Sequence, residues 1–387
     1  RKPAALPLRS GATIHQGNAL QEDWLRVCPP LDGDGAIYVA GNPPFLGKKQ
    51  QDAHHKNDMD YVFSGKLSNY RTLDYVSAWF MKASDFIRLT HARAAFVSTN
   101  SICQGASAST LWAQLLKDDL AIFFAHRSFK WRNNASRNAA VFCVIVGIAK
   151  RPVSDRLIIQ NEVSHKASNI NAYLHDSPDI NITPSSQPIN GLPEMDFGNM
   201  PYDGGALIMS PEEYTEAVEK DARSKKFLRR FLGSRELVQG SVRYCVWVDD
   251  DQVHEASQIP AINKRIEQCR VARLKMKDSH AHVLAERPWS FREHKAAHKH
   301  AIIIPRVTSE RRPYLPVDIV KSDTIPSERT FVLFDGPEWV ISIIASRLHW
   351  VWAGAVCGRL KSDFQYSNTL GWNIFPAPRF TDTQLDA

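Results

Sequence analysis

Short apolar runs bounded by polar or turn residues dominate the first 150 residues. Ala36–Ala40, Ala94–Ser98, Leu120–Phe124 and Ala139–Val146 each read as a buried strand. From Thr72 to Leu89 the pattern changes: Leu73, Val76, Phe80, Ala83 and Ile87 recur at three- and four-residue steps, with Trp79 and Phe86 widening the stripe, which predicts an amphipathic crossover helix. Strands alternating with such a helix imply an α/β domain with a mostly parallel sheet. Between the last two runs, His126 to Asn138 leaves no room for a crossover helix, so those strands are expected to form an antiparallel hairpin at the sheet edge. Residues 151–195, rich in Ser, Asn, Pro and Asp, lack sustained periodicity and read as a linker and long loops. Beyond them, residues 196–387 mix short strands (Val242–Val248, His300–Ile304) with helical stretches (Ile262–Lys277, Trp339–Leu348), a second domain of α+β type.

Composition narrows the class. With 387 residues and 43% hydrophobic residues the chain buries a sizeable core and is neither disordered nor fibrous. No run of about 18 uncharged apolar residues occurs, and residues 1–10 carry no signal-peptide pattern, so a cytoplasmic protein is expected. The six cysteines lie far apart, four in apolar surroundings, which suits reduced core thiols rather than a disulfide framework or zinc site. The net charge of +7 is unevenly spread: residues 223–312 hold 20 Lys/Arg against 10 Asp/Glu, and the rest of the chain is slightly acidic. A segment of that kind suits a surface that neutralises phosphates.

The sharpest chemical signal is Asn42-Pro43-Pro44-Phe45, directly after the Ala36–Ala40 strand and Gly41. Ligands of open α/β sheets bind beyond the carboxyl ends of strands. Two prolines fix φ and remove two backbone donors, leaving carbonyl oxygens on a stiff turn. The Asn42 side-chain carbonyl and the Pro43 backbone carbonyl can accept both hydrogens of one amino group, aiming its lone pair at an electrophile. The Phe45 ring can stack on a flat heterocycle, a contact of about 1–3 kcal/mol per base. These are the parts of a pocket for an extruded nucleobase.

On those residues the chain resembles the gamma-class, amino-group DNA methyltransferases, in particular the large enzymes that combine restriction, modification and target recognition in one chain. Thr13-Ile14-His15-Gln16-Gly17-Asn18-Ala19-Leu20 is similar to that family's preceding strand and loop, and the resemblance makes Asn18 and Ala19, with Asn42, candidate neighbours of the methyl donor. Residues 96–105 look like the next strand and its loop, and residues 122–131 with 140–147 like the terminal hairpin, whose aromatic, Phe129 or Trp131, would help hold the flipped base. Residues 197–205, 231–234 and 367–370 resemble the target-recognition region and the C-terminal end. The resemblance implies methyl transfer from S-adenosylmethionine to the exocyclic amine of adenine in double-stranded DNA, with no metal required. It implies a partial Rossmann-like methyltransferase sheet followed by an α+β recognition domain. Arg229, Arg230, Arg235, Arg265, Arg270, Arg273, Arg306, Arg311 and Arg312 form the pool for base-edge or phosphate contacts. Alternatives from the same residues are a DNA-binding module without catalysis and methylation of cytosine's amine.

One family element is missing from this sequence. A glycine-rich loop should precede the Thr13 segment, and Asp32-Gly33-Asp34-Gly35, too close to Asn42 to be that loop, reads as a surface turn. The polypeptide is therefore expected to extend N-terminally, because a sheet lacking its centre exposes apolar faces and unpaired edges. Asp278 with Glu293-His294-Lys295, the histidines His294, His298 and His300, the pair His54-His55 and the run Asp249-Asp250-Asp251 read as surface elements or loops rather than nuclease or metal sites. Asn199-Met200-Pro201-Tyr202 reads as a turn, not a second base-binding corner.

Overall fold

The computed structural model describes residues 14–30, 35–117, 119–131, 141–360, 362–378 and 380–385. Thr13, Asp32, Gly33, Asp34 and the hairpin tip at 132–140 lie outside the described residues. The chain forms two compact units, Arg1–Asn181 and Ile182–Ala387.

The first unit is built on one six-stranded sheet. Its strands are β1 (Tyr38–Gly41), β2 (Arg93–Thr99), β3 (Leu120–Trp131), β4 (Val141–Lys150), β5 (Arg156–Gln160) and β6 (Val163–Ala167), in the order β1-β2-β4-β3-β5-β6. All four strands expected from the apolar runs are present, and β3 and β4 form the expected antiparallel hairpin. That hairpin is not the margin of the sheet: β5 and β6, from residues expected to be linker and loops, continue the sheet beyond β3. Only β1–β2 and β3–β5 pair in parallel, so the sheet is more antiparallel than the alternating pattern suggests. The short, polar β6 is exposed along most of its length, which is why no apolar periodicity announces it. Residues 14–22 form turns where a strand is expected, with Gln21 and Glu22 donating backbone N–H bonds to Asn18 O. Among the described residues β1 pairs only with β2, so no strand lies on its other side.

Helices α1 (Trp24–Val27), α2 (Ala53–Phe63), α3 (Ser77–Thr90) and α4 (Gly105–Leu115) complete the unit. The crossover helix starts five residues later than its apolar stripe. Leu73 and Val76 precede it and are buried all the same. Phe80 of α3 meets Phe96 of β2 and Trp112 of α4 edge to face at 5.2 and 5.5 Å, which locks helices to sheet.

The second unit has three small sheets. Its strands are β7 (Asp196–Phe197), β8 (Ile208–Met209), β9 (Leu228–Leu232), β10 (Arg243–Val246), β11 (His300–Pro305), β12 (Val307–Thr308), β13 (Asp318–Lys321), β14 (Thr324–Pro326), β15 (Thr330–Phe334), β16 (Gly358–Leu360) and β17 (Asp363–Gln365). The sheet orders are β14-β9-β10-β8, β13-β11-β15-β7 and β12-β17-β16. The helices are α5 (Pro211–Lys220), α6 (Ser234–Gln239), α7 (Val253–Ser257), α8 (Pro260–Leu274), α9 (Ser279–Leu284), α10 (Val340–Ile344), α11 (Arg347–Val356) and α12 (Asp382–Leu385). The expected Trp339–Leu348 helix divides at Ala345-Ser346, where the Ser346 hydroxyl caps α11 by accepting from His349 N. At Gly198 a Cβ would stand 2.1 Å from the Ser327 carbonyl oxygen, so only glycine lets these backbones meet.

His349 sits in the core of this unit, with Nε2 2.9 Å from the Tyr366 hydroxyl and Nδ1 without a hydrogen-bond partner. Burial pushes its pKa down to about 4, against roughly 6.5 in an unfolded chain. Between those values the unfolded chain binds more protons, so the histidine's contribution to stability is complete above about pH 6.5 and is lost as pH falls towards 4. That gap corresponds to about 3 kcal/mol. Urea unfolding of this chain at pH 7 and pH 4.5 is expected to show a larger acid loss than the His349→Gln variant; equal losses would refute the assignment.

Candidate active site

β1 ends at Gly41, which lies beside Phe96 of β2, and the Asn42–Phe45 corner follows where the parallel pair stops. Gly41 is exposed, and a Cβ there would rest in ordinary contact with the Phe96 ring at 3.5 Å. Pro43 is the buried wedge of the corner, whereas Asn42 and Pro44 are exposed and Phe45 packs partly against the first core. Among the described residues nothing hydrogen-bonds to the Asn42 side chain or to the Pro43 carbonyl oxygen. Both acceptors are therefore left for a ligand.

The downstream arm is tied from both sides. Leu46 N donates to Asp74 Oδ1 at 3.0 Å, while Leu46 O accepts from Tyr75 N at 3.0 Å and Gln51 Nε2 at 2.9 Å. The other Asp74 oxygen accepts from Thr99 Oγ1 at 3.1 Å, at the end of β2. Burial raises the Asp74 pKa, opposed by the bonds from Val76 N, Leu46 N and Thr99.

A row across the sheet brings in the hairpin. Thr99 pairs with Cys143 of β4, and Cys143 pairs with Phe129 of β3. A bulge between His126 and Phe129 shifts the register there, and Asn100 Nδ2 donates to Ser128 Oγ at 3.3 Å. His126 meets the Phe129 ring edge-on at 4.5 Å, and Trp131, two residues on, is more exposed and 6.1 Å from Phe129.

Asn18 shapes the turn at the start of the described residues: its amide donates to both oxygens of Asp58 at 3.0 Å, and its carbonyl accepts from Leu20 N at 3.0 Å. Asp58 also accepts from Gln21 at 2.7 Å and from the Tyr75 hydroxyl at 2.6 Å. Burial works against its charge, yet the bonds from Tyr75, Gln21 and Asn18 outweigh burial and hold its carboxyl below the usual range. Ala19 lines an open, largely apolar cleft of ≈ 250 Å³ with His15, Glu22, Trp24, Val39 and Phe86. That is smaller than the roughly 300–1,000 Å³ of sites that enclose a drug-sized ligand.

The arginine pool divides sharply. Arg273 is fully buried and gives its hydrogens to five backbone carbonyls, those of Pro201, Tyr202, Leu284, Arg287 and Ser290, at 2.6 to 3.0 Å. It cannot reach DNA and is removed from the contact pool. Arg265 binds the carbonyls of Ala206 and Ile208 and pairs with Glu213, and Arg306 binds Glu328 O between the rings of Phe197 and Phe331. These two also serve the fold. Arg229 bonds to the carbonyls of Lys226 and Leu228, and Arg270 pairs with Glu267. Arg235 bonds only to Gln239 within its own helix, and the exposed Arg230 and Arg311, with the half-buried Arg312, have side chains without a partner among the described residues.

The discarded motifs have structural roles. His294 stacks on Trp247 at 3.8 Å and bonds to Asp249 at 3.0 Å, and Asp335 accepts from the backbone N–H groups of His298, Lys299 and His300. Asn199 is fully buried and bonded to Lys295 N and O and to Pro326 O. Among the described residues no group of three or more His, Cys, Asp or Glu is placed to hold a metal ion. Nor is any helix among them long and apolar enough to cross a membrane. Cys28 is exposed and the other five cysteines are buried free thiols.

Asp58, Asp74 and Thr99 escape a reading of the sequence. Asp74 carries a faint signal, an acidic residue just ahead of an amphipathic stripe. The partners of Asp58 stand up to 40 residues away, where no local pattern connects them.

Comparison with known proteins places both units in one family. Residues 1–160 match the family described as MmeI, DNA-methyltransferase domain, and residues 176–379 match MmeI, target recognition domain. The chain belongs to the MmeI family. Its fold is similar to that of the Type IIL restriction-modification enzyme MmeI solved in complex with DNA, with a TM-score of 0.89 and 35% identity over 99% of this chain and 52% of that one. It is 40% identical over 377 residues to DNA methyltransferase A of Bacillus subtilis (strain 168), covering 97% of this chain and 43% of that protein. The chain thus spans about half the length of these relatives; the first matched region lies within the first compact unit, and the second begins at residue 176, six residues before the second unit starts.

Proposed function

We propose that this chain is the base-binding and target-recognition part of a DNA methyltransferase of the restriction-modification type, acting on the exocyclic amine of an adenine swung out of duplex DNA. The observation that carries the reading is the pair of unengaged acceptors, Asn42 Oδ1 and Pro43 O, on a corner beyond a strand end with Phe45 beside them. Family membership supplies the class of reaction. S-adenosylmethionine, when bound, supplies an electrophilic methyl group on a sulfonium sulfur. Asn42 and Pro43 accept the two amine hydrogens and point the nitrogen lone pair outward. The nitrogen–carbon bond forms as the carbon–sulfur bond breaks, and the surplus amine proton leaves to solvent. Phe45 and Phe129 stack on the base, and the buried Pro43 anchors the corner that carries the two acceptors. Arg230, Arg235, Arg311 and Arg312 are the arginines of the second unit left to meet phosphates or base edges, with double-stranded DNA as partner and the cytoplasm as the place of action.

The test is methyl transfer from labelled S-adenosylmethionine to plasmid DNA by the full-length polypeptide, followed by digestion to nucleosides and mass analysis. N6-methyladenine is expected. Methylated cytosine would move the target to the other amine, and donor-independent, salt-sensitive DNA binding with no methylated nucleoside would leave only a recognition module.

A further inference from the structure

Among the described residues no hydrogen bond holds the Asn42–Phe45 corner itself beyond the packing of Pro43 and Phe45; the nearest bonds stand just beyond it. Leu46, the residue after Phe45, has both its backbone groups held by the Asp74-Tyr75 pair: its N–H by the Asp74 carboxylate and its carbonyl by Tyr75 N. The second Asp74 oxygen reaches Thr99, whose hydroxyl is also 2.7 Å from Ser101 Oγ. Thr99 in turn heads the row that leads through Cys143 to Phe129. Among the described residues Asp74 is therefore the one side chain that bonds to both the arm carrying Phe45 and the end of β2 level with the hairpin aromatic. Resting on the base-binding reading above, we propose that Asp74 is a positioning residue: its carboxylate, through Leu46 N and Thr99 Oγ1, sets the separation between the Asn42–Phe45 corner and the Phe129 side of the base pocket.

A displacement of about 1 Å at such a site can lower the rate by roughly 100-fold without touching the reacting atoms. Among the described residues the Asp74 carboxylate bonds to Leu46 N, Val76 N and Thr99 Oγ1, whereas the turn at Asn18 is held by Asp58, so the donor KM should change little. Substitution by asparagine retains the connections, because Oδ1 still accepts from Leu46 N and the new amide can donate to Thr99, whose hydroxyl can turn to Ser101.

The experiment measures kcat and the KM values for S-adenosylmethionine and for plasmid DNA in the full-length polypeptide and its Asp74→Ala, Asp74→Asn and Thr99→Val variants, with Asn42→Ala alongside. For Asp74→Ala we expect kcat to fall roughly 10- to 100-fold with the donor KM within about twofold. Asp74→Asn should recover to within about threefold of wild type, and Thr99→Val should lose about threefold to tenfold in kcat, each estimate following from one or two hydrogen bonds removed. If Asp74→Ala does not fold, Thr99→Val decides: an unchanged kcat overturns the proposal. So does a folded Asp74→Asn as slow as Asp74→Ala, or an Asp74→Ala loss that falls on the donor KM. An active Asn42→Ala enzyme would instead defeat the base-binding reading itself, whereas a dead Asn42→Ala beside a fully active Asp74→Ala would defeat only the role of Asp74.

Discussion

Asn42→Ala is expected to lower kcat for methyl transfer by about 10²- to 10³-fold, the usual consequence of deleting one preorganised polar group aimed at a reacting centre. The size follows from the corner's construction. The side chain is exposed and bonded to nothing in the described residues, so its removal leaves no buried group unpaired and should cost little stability. The Pro43 carbonyl remains and still holds one amine hydrogen, which keeps some activity. Asn42→Asp is informative beside it: the acceptor is retained but a negative charge is added, so a rate well above that of the alanine variant would show that accepting a hydrogen bond is the essential property. Steady-state kinetics of the full-length polypeptide, with thermal unfolding as a control, checks the prediction. A melting temperature that drops together with the rate would count against it.

The second large effect concerns stability, and it falls on a residue whose type and position suggested DNA contact. Arg273→Met would leave the carbonyls of Pro201, Tyr202 and Ser290 without a donor among the described residues, while those of Leu284 and Arg287 would keep the backbone N–H groups of Arg287 and Ser290. Each buried group left unsatisfied costs about 1–3 kcal/mol. Partial relaxation at the edges of the cluster brings the expected loss to about 4–5 kcal/mol. For a unit of roughly 200 residues that lowers the melting temperature by about 10 °C or more. Below the lowered transition, DNA affinity and its dependence on salt should match wild type, whereas Arg230→Ala should weaken binding without moving the melting temperature. A normal melting temperature with weakened DNA binding in Arg273→Met would restore the residue to the contact pool.

Arg273 also shows where the sequence stops being informative. A basic segment has a readable excess charge, but whether a given guanidinium faces water or closes a loop depends on carbonyls of Pro201 and Ser290 on either side of it in the chain. Apolar alternation and short turns are local, so β1 to β4, the hairpin and α8 could be foreseen to within a few residues. The register of the bulge in β3 could not, nor could the strand β6, which is too exposed for a hydrophobic signature. In the candidate site the same division holds. The diproline corner is a contiguous string and was visible. Asp58 and Asp74 act through partners brought together by the sheet and by α2 and α3, and ordinary acidic residues in a polar stretch give no sign of that. The bond between Asn18 and Asp58 was equally out of view, because the carboxylate that occupies the Asn18 amide lies 40 residues ahead.

The bulge that sets Phe129 in line with Cys143 and Thr99 places this ring on a strand, held by ladder bonds on a backbone that is already ordered. Freezing a residue of a loose loop costs roughly 1–2 kcal/mol. A planar guest sliding against Phe129 meets a wall that has already given up that freedom, so its grip should weaken little on warming until the sheet itself melts.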